Sequence, residues 1–111
     1  MLAIPPQWHQ AFDFVFECRN IQSLPLNVRS WVISSVTFVV APGGTMKLIT
    51  RVRDTEAEPD GPPWPLSNSE LAQFATLGLQ EVEKFVFLES EQIDVKQVRI
   101  EYQRHNSLIA F

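Results

Sequence analysis

The stretch PDGPPWPL, Pro59 to Leu66, holds four prolines and a tryptophan in eight residues. Proline lacks a backbone N–H and fixes φ, so this segment is neither a helix nor a central strand. The residues before it, RDTEAE, are polar and acidic without periodicity. Residues 54–66 therefore form a proline-rich loop, long for a compact domain. Regular structure has to be built on either side of it. With 111 residues, 45% of them apolar, the chain suffices for one hydrophobic core and is read as a single domain, 1–111.

On the N-terminal side, residues 1–10 with their IPPQW run are extended. FDFVFECR then alternates, with Phe12, Phe14, Phe16 and Cys18 of one parity and Asp13, Val15, Glu17 and Arg19 of the other. That period predicts a half-buried strand with the phenylalanines and Cys18 facing inward. SWVISSVTFVV, Ser30 to Val40, is rich in β-branched and aromatic residues and predicts a second strand. APGGT suits a type II turn, and MKLITRVRD continues as the hairpin partner. Met46, Leu48 and Val52 share one face of it; Lys47, Ile49, Arg51 and Arg53 share the other.

Beyond the loop, Ser67 and Glu70 have capping-box spacing. Apolar residues from Leu71 to Val86 recur every three or four positions and predict one helix ending near Leu88. IDVKQVRIEYQ predicts a strand whose parity switches at a bulge near Lys96–Gln97. A turn at RHNS and a short final strand, Leu108 to Phe111, close the chain. The expected fold class is α+β: a mainly antiparallel sheet of about five strands with one principal helix on one face.

Net charge is −4, and it is unevenly spread: residues 1–55 carry five basic and three acidic side chains, residues 56–111 four and ten. An acidic chain is poorly suited to broad nucleic-acid or anionic-membrane binding. No transmembrane segment or secretory signal is read, so a cytoplasmic setting is expected. Cys18 is the only cysteine, which excludes an intrachain disulfide and a multi-cysteine zinc site. His9 and His105 have no metal-ligand or catalytic spacing, and the glycine pair Gly43–Gly44 reads as a turn, not a phosphate cradle. No catalytic residue, cofactor site or metal site is assigned, and the balance leans away from an enzyme.

The leading sequence reading is a non-enzymatic interaction or assembly protein, self-associating, of the kind found as an accessory of a larger viral or phage assembly. Its expected partners are another protein, a second copy, or both. Its surface is assigned to Trp8, Pro62, Pro63, Trp64 and Pro65, aromatic anchors in stiff backbone, with the basic set Lys47, Arg51 and Arg53. The runner-up is a small-ligand-binding or enzymatic α+β domain with its pocket between helix and sheet. Nucleic-acid binding through the basic strand face ranks third.

Overall fold

Four strands and two α-helices follow along the described chain, with three short 3-10 turns beside them: β1 (Phe12–Cys18), α1 (Arg29–Phe38), β2 (Val40–Arg51), α2 (Asn68–Thr76), β3 (Leu79–Leu88) and β4 (Lys96–Arg104). The computed structural model describes residues 4–59, 63–89 and 95–105. The four strands form one sheet in the order β1-β2-β4-β3. β1 and β2 are parallel; β4 runs antiparallel between β2 and β3. The architecture is mixed α+β, with four strands and two helices in place of the expected five strands and one helix. No helix among the described residues is long and apolar enough to cross a membrane.

Residues 30–40 are the first correction, because they form α1 instead of a strand. The hairpin read around APGGT therefore does not exist. β1 and β2 are parallel, and a parallel pair cannot be joined by a tight turn; it needs a crossover, which the helix provides. Local composition loses to packing: Val32 and Ile33 enter the core, with Val28 and Val36 against it. The hydroxyls of Ser35 and Thr37 donate back to the carbonyls of Trp31 and Ile33, at 2.9 and 3.0 Å.

APGG is a bulge inside β2. Phe12 pairs with Val40 and Phe14 with Thr45, so residues 41–44 arch opposite Asp13 alone. Gly43 takes φ +75°, and a Cβ on Gly44 would come within 2.8 Å of the Ala41 carbonyl oxygen.

The capping box is present: Ser67 Oγ accepts from the Glu70 N–H, and Glu70 Oε1 accepts from the Ser67 N–H at 2.9 Å. The helix it starts ends at Thr76, not Leu88. Gly78, at φ +103°, turns the chain, and residues 79–88 form β3. The sheet's second bulge lies at Val82, between the pairs Glu81–Tyr102 and Glu83–Glu101, and not at Lys96–Gln97. The proposed final strand, 108–111, lies outside the described residues.

Both helices pack on the same face. Val32 and Ile33 of α1 and Leu71 and Phe74 of α2 share one core with Met46, Leu48, Val98, Ile100 and Tyr102. This reverses the expected facing of β1. Val15 and Glu17 point inward, while Phe12, Phe14 and Phe16 are 40%, 56% and 55% exposed and Cys18 is half-buried. Strict alternation set the two parities of β1 correctly; it carries no sign saying which one meets the helices.

Candidate functional site

In open sheets with parallel strands, ligands gather outside the carboxyl ends of those strands. Here that end is formed by Glu17 to Gln22, the end of β1 and the residues after it, and by Arg51 to Arg53 at the close of β2. The proline-rich loop is stitched across it. Trp64 N–H donates to the Gln22 carbonyl at 2.7 Å, Leu66 N–H to the Arg51 carbonyl at 2.9 Å, and Arg53 N–H to the Leu66 carbonyl at 2.9 Å. Arg29, at the start of α1, is 1% exposed. It lies 3.2 Å from Glu70 Oε1, which also meets Arg53 at 3.2 Å, and it donates to the Trp64 carbonyl. Burial lowers the Arg29 pKa, and the Glu70 carboxylate works against that fall.

On the helix-free side a polar chain runs from Arg19 to Gln97 Oε1 at 2.9 Å, from Gln97 to Glu89 at 3.1 Å, and from Glu89 to Arg51 at 2.8 Å. Arg19 itself holds φ +59°, a conformation costly for a residue with a Cβ and concentrated at functional sites. Two buried polar atoms at this end have no partner among the described residues: Glu17 Oε2 and Arg51 Nε. Buried polar atoms are nearly always paired, so the open acceptor on the helix side and the open donor on the helix-free side are two unmet polar demands at this end of the sheet.

Glu17 is 5% exposed, and its second oxygen accepts from the Asn20 N–H at 2.8 Å. Desolvation raises its pKa above the ordinary 4.5, more than hydrogen bonds from Asn20 and Ile21 lower it. The folded state thus keeps the proton at pH values where the unfolded chain has lost it. This contribution to stability is complete below the unfolded value and is lost as pH rises through the folded one. Glu17→Gln is therefore expected to melt near the parent at pH 4 and above it at pH 8. A difference independent of pH, in paired thermal melts, would refute the buried carboxylate.

The residues assigned from sequence do not converge here as one surface. Trp8 is exposed and packs edge-on against Phe12, 5.6 Å between centroids, at the opposite end of β1. Pro63, Trp64 and Pro65 are half-buried at the carboxyl end, and Pro62 lies outside the described residues. Each basic residue of the strand face has an acidic partner: Lys47 with Glu101 at 3.8 Å, Arg51 with Glu89, Arg53 with Glu70. Glu17, Arg19, Gln22 and Arg29 were not singled out from sequence. Their signal is the strand–helix–strand order, which the strand-like composition of residues 30–40 hides. Among the described residues no group of three His, Cys, Asp or Glu side chains is placed to hold a metal ion.

No family model and no curated protein matches this sequence. Solved structures do. A SAM-dependent methyltransferase from Methanosarcina mazei superposes with TM-score 0.70 at 15% identity, over 95% of this chain and 63% of that one. The cyclase SpnF gives TM-score 0.70 at 11% identity, over 95% of this chain and 53% of that one. The N-methyltransferase NodS of Bradyrhizobium japonicum WM9, in complex with S-adenosyl-L-homocysteine, gives 0.65 at 14%, over 86% and 47%. The chain has a methyltransferase-like fold. It spans about half to two-thirds of the length of these structures.

This likeness overturns the reading of a non-enzymatic, self-associating assembly protein, and with it the structural-protein role and the viral or phage setting. The runner-up, a small-molecule-binding or enzymatic α+β domain, agrees with it better. The expected position of that pocket, between helix and sheet, holds a hollow of about 210 Å³ beside α2, lined by Leu71, Ala75, Lys84 and Tyr102. The open donor and acceptor lie elsewhere, at the strand ends.

Proposed function

We propose that the chain is a small-molecule-binding enzymatic domain of methyltransferase-like type, its ligand seated at the carboxyl ends of β1 and β2. The observation that carries this is the likeness to the Methanosarcina mazei methyltransferase over 95% of the chain. Two open polar atoms at these strand ends, Glu17 Oε2 on the helix side and Arg51 Nε on the helix-free side, support the position. One fold hosts several chemistries, as a cyclase beside methyltransferases illustrates, so the site's own chemistry limits the reading.

S-adenosylmethionine, the cofactor such a fold implies, does not fit the residues described. The ligand end presents Arg19, held by the neutral Gln97 and not by a carboxylate, and its charge opposes a sulfonium. Within this chain the site instead suits a polar ligand with a carboxylate or hydroxyl for Arg51 and a donor for Glu17.

S-adenosyl-L-homocysteine, which lacks the sulfonium charge, is the probe. Titrated into the 15N-labelled chain, it is expected to shift the amides of Glu17 to Gln22 and Arg51 to Arg53, with a Kd of about 1 mM. Absence of shifts there at several-fold that concentration, or shifts confined to other elements, overturns the assignment.

A further inference from the structure

We infer that the helix-free face of the sheet binds a small zwitterion, of the free α-amino acid class, in a hollow shared by β2, β4 and β3. The hollow measures about 200 Å³ and is lined by Lys47, Glu83, Arg99, Ile100 and Glu101. Pockets for drug-sized ligands run to about 300–1,000 Å³, so its occupant is smaller than those.

A bulge builds the hollow. Glu81 pairs with Tyr102, so unbroken register would put Val82 opposite Glu101 and turn Glu83 to the helix side. The extra residue instead sets Glu83 opposite Glu101 and Phe85 opposite Arg99, on the face without helices. Like charges directly opposite each other across a strand pair are destabilising. Lys47, the neighbour of Glu101 on β2, answers one of the two carboxylates, at 3.8 Å. The Arg99 guanidinium lies over the Phe85 ring, 5.3 Å from its centroid. Stacking on a ring leaves the N–H groups at the guanidinium's edge, where a carboxylate is gripped at two points. Neither Glu83 nor Arg99 belongs to an ion pair among the described residues.

The charge layout selects the occupant. A simple anion would meet two carboxylates, and a metal ion would meet Lys47 and Arg99. Among the described residues no three His, Cys, Asp or Glu side chains are placed to hold such an ion. A molecule with an ammonium and a carboxylate meets both demands, the ammonium between Glu83 and Glu101 and the carboxylate on Arg99. In an α-amino acid the two groups hang from one carbon, which suits Arg99 and Glu101 as neighbours on one strand face. The hollow lies at mid-sheet, beside the pairs Lys47–Glu101 and Ile49–Arg99, so it stands apart from the ligand place at the strand ends.

L-alanine is the probe, titrated into the intact 15N-labelled chain at low ionic strength. Saturable shifts are expected at the amides of Lys47, Glu83, Arg99 and Glu101, with a Kd of about 1 mM. L-alaninamide, which lacks the carboxylate, and N-acetyl-L-alanine, which lacks the ammonium, should each bind at least about tenfold more weakly. Arg99→Gln and Glu83→Gln should each raise the Kd for L-alanine about tenfold, while Lys84→Gln, on the helix side of β3, leaves it unchanged. Should either variant fail to fold by circular dichroism, the two capped probes decide the matter on the parent chain. No saturation at several-fold that concentration, equal binding of either capped probe, shifts confined to other residues, or an unchanged Kd in either folded variant overturns the inference.

Discussion

Arg29→Ala is expected to destabilise the protein by about 3–5 kcal/mol, read from the midpoint of urea unfolding, because it empties a buried guanidinium site and leaves the partly buried Glu70 carboxylate short of a partner. The guanidinium touches the chain at four places: the carbonyls of Gln22, Leu24 and Trp64, and the Glu70 carboxylate. It thereby fastens the loop after β1, the proline-rich loop and the start of α2 to α1. Arg29→Lys should recover little, since an ammonium is a point charge without the planar fork that reaches several acceptors at once. Glu70→Gln added to Arg29→Ala should cost less than the sum of the two changes, because the stranded charge is then gone. A loss below about 1 kcal/mol for Arg29→Ala would show that Arg53 alone satisfies Glu70.

The second large effect is expected at Phe74. Its ring is fully buried, 5.2 Å from that of Tyr102, and joins α2 to the middle of the sheet. Phe74→Ala removes that packing and leaves a cavity, at a cost of about 3–5 kcal/mol. Phe74→Leu fills most of the space and should lose less than half as much. Equal losses for the two variants would mean that the aromatic contact, not the volume, holds α2 in place.

Much of the secondary structure was legible where a local device determines it. Ser67 and Glu70 announce the start of α2 because both partners of the capping box lie within one turn. The alternation of β1 and the two faces of β2 were legible for the same reason. What was hidden depends on distant partners. SWVISSVTFVV favours a strand by composition, and only the parallel pairing of residues 12–18 with 40–49 makes a helix necessary there. The stripe from Leu71 to Val86 satisfies a helical period, but Gly78 divides it, and a residue at φ +103° closes a helix more readily than it sits inside one. The site was illegible because its members come from both sides of the proline-rich loop, and because Glu17 sits on the parity of β1 that looked polar and outward.

The threading of the sheet has a consequence for how the chain comes to exist. β4 lies between β2 and β3, with both of its edges paired, although it is the last of the four strands in the sequence. During synthesis from the N-terminus, β2 and β3 emerge as separate edges with a strand-wide gap between them. Neither can complete its hydrogen bonds until Arg104 has cleared the ribosome. The parallel pair with α1 can assemble early; the rest waits on non-local contacts that are slow to form. Only once residues 96–104 are free does the core, with Val98, Ile100 and Tyr102 at its centre, become whole.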